Sequence, residues 1–244
     1  MQKLLAYPLT VIYFVFFGIT LVVFHPVQWI CLKFFGYQAH QNSVALLNLC
    51  ILRCTHILGT RYSFNNPHKL PEDRPLIIVS NHQSMNDIPP IVWYFRRHHP
   101  KFVSKIELGK GIPSVSFNLR HGGSVLIDRK DSKQAITQIA RLGRYIEEHK
   151  RSAVIFPEGT RSRDGHPKNF QPTGLKMLIK QSPSALLVPL SINNSWKLLR
   201  YGSFPYGLGC HLKFKVHEPI EIEGTPDDLV ERLETTIMQG IKEN

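Results

Sequence analysis

Two patterns of apolar residues divide the chain. Residues 4–24 are almost wholly apolar, with only Thr10, Thr20 and the amphipathic rings of Tyr7 and Tyr13 as exceptions. A run of about 21 residues makes a helix of roughly 30 Å, enough to cross a hydrocarbon core. A secretory signal is the rival reading, but the run is long for its apolar core and no small-x-small cleavage site follows His25-Pro26, so the segment is expected to be retained. A core helix of a soluble protein is the other alternative. A second apolar segment, 43–59, carries Arg53 and His56, which suits an interfacial position or a partly buried hairpin partner better than a lipid-exposed span. Pro26 and Gly36 are the expected breaks between the two segments.

Beyond Arg61 the pattern changes to short β-branched runs alternating with amphipathic stretches. Strands are predicted at 76–80, 101–104, 124–127, 153–156, 186–192 and 211–216, and helices at 132–149, 174–181 and 226–241, the last with Thr225 as N-cap. Alternation of this kind predicts an α/β layered domain. The chain therefore divides into membrane-associated helices over 1–60 and an α/β domain over 61–244, a length that fits one catalytic domain with an appendage.

Composition narrows the partners. Thirty Lys and Arg against eighteen Asp and Glu give a net charge of +12, which favours an anionic partner such as a lipid surface, a phosphorylated substrate or nucleic acid. The basic residues concentrate after Leu52, so a crossing first helix would leave the large C-terminal region in the cytoplasm. Cys31, Cys50, Cys54 and Cys210 lack paired metal-type spacing and read as reduced, buried thiols.

Three strand ends carry candidate chemistry. The run Pro75 to Ser80 is followed by Asn81, His82, Gln83, Ser84, Met85, Asn86 and Asp87. A strand-to-helix turn can bring the Asp87 carboxylate back to Nδ1 of His82, fixing the tautomer and freeing Nε2 to take a proton from a hydroxyl. Such a base is typically worth ~10² to 10⁴ in rate. The strand ending at Phe156 leads into Pro157, Glu158, Gly159, Thr160, Arg161 and Ser162. Gly159 would allow close backbone approach, and Arg161 offers a planar fork for phosphate oxygens. Glu158 could orient Arg161, hold the loop or accept from a substrate hydroxyl. A third run, Gly122 to Arg129, ends in Asp128 and Arg129, where a second guanidinium would help to clamp a phosphomonoester. Lys105 ends another predicted strand and is a further phosphate candidate, and Val188-Pro189-Leu190 would add apolar wall. His98 and His99 have no flanking ligands and are expected at the surface.

At these residues the chain resembles the glycerolipid acyltransferase superfamily, and within it the 1-acyl-sn-glycerol-3-phosphate acyltransferases. The resemblance covers about residues 76–193. Asn81, His82 and Asp87 match the Asn-His-x4-Asp block, and residues 156–162 match Phe-Pro-Glu-Gly-Thr-Arg-Ser throughout. Gly123, Ile127, Asp128 and Arg129 match a third block in which Leu126 replaces the usual aromatic residue, and Val188-Pro189-Leu190 corresponds to the last. The resemblance implies a layered domain with a central mixed sheet flanked by helices. It implies His82 as catalytic base with Asp87 as its partner, and Arg129, Glu158, Gly159, Thr160 and Arg161 on the glycerol phosphate. It also implies an acyl-CoA or acyl-carrier protein donor, a lysophospholipid acceptor at the membrane, no metal or other cofactor, and no nucleic acid.

A thioester is already an activated acyl donor, so direct attack by the acceptor hydroxyl, with no acyl-enzyme, is the expected chemistry. The chain lacks a Gly-x-Ser-x-Gly elbow, a His-Glu-x-x-His helix and a phosphate loop, in keeping with that expectation. Two alternatives stay open: an acyltransferase for another lysophospholipid, such as one bearing a headgroup or a lysocardiolipin, and a basic lipid-binding or nucleic-acid-binding module without catalysis.

Overall fold

The computed structural model describes residues 2–241. Seven strands form one mixed sheet in the order β1-β7-β6-β2-β5-β3-β4, comprising β1 (Arg61–Asn65), β2 (Leu76–Ser80), β3 (Pro100–Lys105), β4 (Val125–Ile127), β5 (Ser152–Ile155), β6 (Leu186–Asn193) and β7 (His211–Val216). β6, β2, β5, β3 and β4 run parallel, and β7 pairs antiparallel with β6. The parallel centre explains the continuous apolar runs: β2 and β6 are buried at every position, as strands covered on both faces must be.

Alternate residues of β2 feed two cores. Leu76 and Ile78 join Val154, Val188, Phe214 and residues of α1 (Gln2–Cys54) and α2 (Ile88–Tyr94). Ile77 and Val79 face Leu142, Ile146, Leu175, Leu178 and Leu233 of α4 (Ser132–His149), α5 (Pro172–Gln181) and α6 (Pro226–Gln239). Each of these last helices has a local reason to start. The Asp131 side chain accepts from Gln134 N–H, Pro172 occupies the first turn of α5, and Thr225 accepts from Asp228 N–H as its predicted N-cap role requires.

The N-terminal apolar segments form a hairpin of two helical arms. The reversal lies at Gly36, whose φ of 79° and ψ of −170° are non-helical, and Leu21, Leu47 and Ile51 pack between the arms. Pro26, expected as a second break, sits within the helix instead. One face of the first arm is seated on the domain. Tyr206 N–H donates to Thr10 Oγ1 at 3.0 Å, the Tyr13 and Tyr206 rings lie 5.3 Å apart, and Ser114 N–H donates to His25 Nδ1 at 3.1 Å. The opposite face exposes Val11, Val15, Ile19, Val22, Val23 and Ile30. The helix is long and apolar enough to cross a membrane, with a mean hydropathy of 2.1 in its most apolar stretch.

Three elements are absent from the sequence-based expectation: β1, α2 and α3 (Val115–His121). His98 and His99 also depart from it. Both are half-buried, and the His99 ring stacks on Tyr37 at 5.6 Å while Nδ1 meets the Tyr37 hydroxyl at 3.1 Å. Burial holds the imidazoles of both below the usual histidine range.

Candidate active site

Because β2, β5, β3 and β4 are parallel, their carboxyl ends reach one edge of the sheet. That is where open α/β sheets characteristically hold ligands. Along this edge stand His82 after β2, the 156–162 loop after β5, Lys105 at the end of β3 and Arg129 after β4.

The His82 loop is built around one carboxylate. Asp87 is fully buried, and its Oδ2 meets His82 Nδ1 at 2.8 Å, Gln83 N–H at 2.8 Å and Ser84 N–H at 2.9 Å. An ionised carboxylate only accepts, so Nδ1 carries the proton and Nε2 is left as the acceptor. Ser84 caps the short helical turn at Met85–Asp87 by accepting from Asn86 N–H, which closes the loop tightly enough to bring Asp87 back to the ring. The imidazole lies against Phe156, ring centroids 4.2 Å apart and 19° from parallel. Its position is thus fixed on one side by a charge and on the other by an aromatic wall.

Two further ties anchor the loop to the sheet. The Asn81 amide donates to Ile192 C=O at 2.9 Å and accepts from Ile192 N–H at 2.7 Å, so it pairs with the backbone of β6. Gln83 Oε1 accepts from Ser195 N–H at 2.9 Å.

Glu158 joins the two central loops. Its Oε1 accepts from His82 N–H at 2.7 Å and its Oε2 from Lys168 N–H at 3.0 Å. At 4 % exposure it has neither the charge nor the access to hold a phosphate, so the phosphate role implied by resemblance does not fit, and of the readings left open by sequence it is the loop tie that the geometry matches. Burial raises the Glu158 carboxyl above the usual range, opposed by the backbone donors of His82 and Lys168. Ser162 completes the joint, its N–H donating to His82 C=O at 2.8 Å.

Gly159 turns with φ 67°, in the left-handed region that favours glycine, and with Thr160 it is exposed. Arg161 is half-buried, whereas Arg129 and Lys105 are exposed. Loss of hydration lowers the Arg129 guanidinium from its ordinary value, Glu107 opposes this, and the positive charge of Arg161 adds to it. The two arginines therefore share one electrostatic neighbourhood. Among the described residues neither of them, nor Lys105, lies within 4.0 Å of a carboxylate.

Sequence reasoning missed Phe156 as the wall of His82, Ser195 as an anchor, and Tyr206, whose hydroxyl donates to Met85 Sδ at 3.6 Å. Burial raises the Tyr206 phenol, and the Arg161 charge opposes that. Tyr206 lies in a loop and Ser195 at the start of a short helical turn, Ser195–Leu199, neither with a motif of its own. Phe156 stands at the head of a matched block and was readable.

A histidine-carboxylate pair and two guanidinium groups thus share the carboxyl edge of a parallel sheet, and a family model described as Acyltransferase matches residues 61–193. The chain belongs to that family. Its relatives include a 1-acyl-sn-glycerol-3-phosphate acyltransferase of Helicobacter pylori, 35% identical over 51% of this chain and 54% of the relative. Another is the 1-acyl-sn-glycerol-3-phosphate acyltransferase alpha of Ovis aries, 23% identical over 77% of this chain and 64% of the relative. The matched region thus spans just under two thirds of that mammalian relative. The crystal structure of the 1-acyl-sn-glycerophosphate acyltransferase of Thermotoga maritima shares the fold, with a TM-score of 0.81, 23% identity, and coverage of 99% of this chain and 96% of that one.

Proposed function

We propose that the chain transfers a fatty acyl group from acyl-CoA or acyl-carrier protein to the sn-2 hydroxyl of 1-acyl-glycerol-3-phosphate, making phosphatidic acid. The observation that carries this is the pairing of His82 Nδ1 with the buried Asp87, on the same sheet edge as Arg129 and Arg161. His82 Nε2 takes the proton of the acceptor hydroxyl as its oxygen attacks the thioester carbonyl. The tetrahedral intermediate collapses with breakage of the C–S bond, and the imidazolium returns its proton to the departing thiolate. Asp87 stabilises the imidazolium between these steps. Because the donor is already activated, the chemistry calls for no metal and no prosthetic group. Arg161 and Arg129, with Lys105, Thr160 and the Gly159 backbone around them, hold the acceptor phosphate.

Membrane association follows from α1. Contacts with the domain recur from Thr10 to His25, so a perpendicular span would drag that domain into hydrocarbon, and the arm is read as lying along one leaflet. Exposed Met85, Ile106, Leu108 and Phe204 around the reacting edge fit an acceptor drawn from that leaflet. The basic surface is accordingly read as serving lipid phosphate, not nucleic acid.

The test is acyl transfer with lysophosphatidate, lysophosphatidylcholine and lysophosphatidylglycerol as competing acceptors. Lysophosphatidate is expected to have the highest kcat/KM, and Arg161→Ala to raise its KM about tenfold or more with little change in the donor KM. Preference for a headgroup-bearing acceptor, or equal effects on both substrates, would replace this reading.

A further inference from the structure

Tyr206 stands where three parts of the molecule meet. It belongs to the loop that leads into β7, whose backbone is fixed by Gly207 N–H donating to Leu198 C=O at 2.7 Å and Gly209 N–H to Leu58 C=O at 2.9 Å. From that support the Tyr206 N–H donates to Thr10 Oγ1 at 3.0 Å, and its ring lies 5.3 Å from Tyr13 and 5.4 Å, edge to face, from Phe14. All three partners belong to the first arm of α1. At its far end the hydroxyl donates to Met85 Sδ at 3.6 Å, in the turn that ends at Asp87. The side chain thus runs from the apolar arm to the turn that aims His82.

The turn needs support from outside. Asp87 Oδ2 accepts three hydrogen bonds, but Asp87 Oδ1 and Asn86 Nδ2 are buried with no hydrogen-bond partner among the described residues. Burial raises the Tyr206 phenol, and the Asn86 side chain beside it opposes this without forming a hydrogen bond of good geometry. A turn with unpaired buried polar atoms is held less firmly by its own bonds, so its position depends on what packs against it. Tyr206 is 2 % exposed, and its influence on the reaction therefore passes through the turn, not through contact with substrate.

We infer that Tyr206 is a positioning residue: its backbone and ring are seated by the first arm of α1, and its hydroxyl holds the Met85–Asp87 turn so that Asp87 stays against His82. Docking of the arm and alignment of the base are then linked through one side chain. The effect on turnover rests on the acyl-transfer reading, whereas the link between arm and turn does not.

The test compares the full chain in neutral detergent with Tyr206→Phe, Thr10→Val, Thr10→Ser and the Thr10→Val/Tyr206→Phe double variant. Tyr206→Phe keeps the ring and loses the hydroxyl, Thr10→Val removes the acceptor of the Tyr206 N–H, and Thr10→Ser keeps it. Without any substrate, proton NMR follows solvent exchange of the His82 Nδ1 proton, identified by its absence from His82→Ala. Exchange is expected to be about fivefold faster in Tyr206→Phe and in Thr10→Val, unchanged in Thr10→Ser, and no faster in the double variant than in the faster single one. In turnover, kcat with lysophosphatidate should fall about fivefold in the same two variants, while the KM of both substrates and flotation with anionic vesicles stay unchanged. Wild-type exchange in Tyr206→Phe and Thr10→Val would overturn the inference, as would additive effects in the double variant or a wild-type kcat in either single one. Failure to detect a protected Nδ1 proton in the wild type would also overturn it, since no held pairing would exist. If exchange responds as expected but the wild type acylates no lysophospholipid, the acyl-transfer reading fails and the link between arm and turn stands.

Discussion

Asp87 Oδ2 serves three N–H groups at once, and only one belongs to the imidazole. The other two hold the loop that aims His82, so the residue has a chemical and a positioning role. Asp87→Asn places an amide N–H₂ where an acceptor is needed and favours the tautomer with its proton on Nε2, which cannot act as a base. A fall in kcat of ~10² to 10⁴ is expected, with the KM for the acyl donor little changed. A variant with wild-type kcat would remove Asp87 from the mechanism.

Lys101 raises a different residue-scale question. It is 1 % exposed, its Nζ donates to Gln41 Oε1 at 2.7 Å, and no carboxylate lies within 4.0 Å among the described residues. Burial first, and the Arg151 charge second, lower its pKa from 10.5 to about 7. Between those values the unfolded chain holds a proton that the folded chain has released, so stability rises with pH across that window and levels off above it. Lys101→Met should raise stability at pH 7 by about 1–2 kcal/mol and flatten the rise. Thermal unfolding of both proteins from pH 6 to pH 10 checks this, and parallel curves would refute it.

At the scale of elements, the first arm of α1 must satisfy two solvents. Thr10, Tyr13 and Leu21 face protein, while Val15, Ile19 and Val23 face outward. On the proposed membrane-bound arrangement, a charge on the outward face enters lipid, at a penalty of roughly 2.5–3.5 kcal/mol at full depth. Ile19→Glu is therefore expected to weaken vesicle binding at least tenfold without lowering the Tm in detergent, as flotation with anionic vesicles would show. Undiminished binding would mean that this face does not enter the bilayer.

The same helix shows what sequence patterning reads well and what it does not. The apolar run and the reversal at Gly36 were legible, because a glycine between two apolar stretches is a strong punctuation mark. Pro26 was over-read: a proline lacks one donor, yet the arm continues through it while packed against α3. β1 was missed because its sequence Arg-Tyr-Ser-Phe-Asn, at the sheet edge, is half polar. α2 was hidden by Pro89 and Pro90, which are harmless in a first helical turn.

Over the whole molecule, the site is made by topology. The central strands were predicted to within a residue or two, but their order was not, since nothing in a strand's own sequence says which neighbour it will take. The sheet order puts the His82 loop directly beside the 156–162 loop and Arg129 on the same edge. The motif residues were therefore readable as a set before their geometry was. The exception is Glu158, whose part in tying two loops depends on the Lys168 backbone, which no motif includes. Phe156 shows the converse, a matched position whose stacking on His82 only the fold discloses.

The most direct test of the account is formation of phosphatidate from lysophosphatidate and a radiolabelled acyl-CoA by the full chain and by His82→Ala, with folding compared by circular dichroism. The expected result is steady product from the wild type and a loss of at least ~10² to 10⁴ in kcat from an equally folded variant. Phosphatidate formed by His82→Ala at the wild-type rate would contradict it.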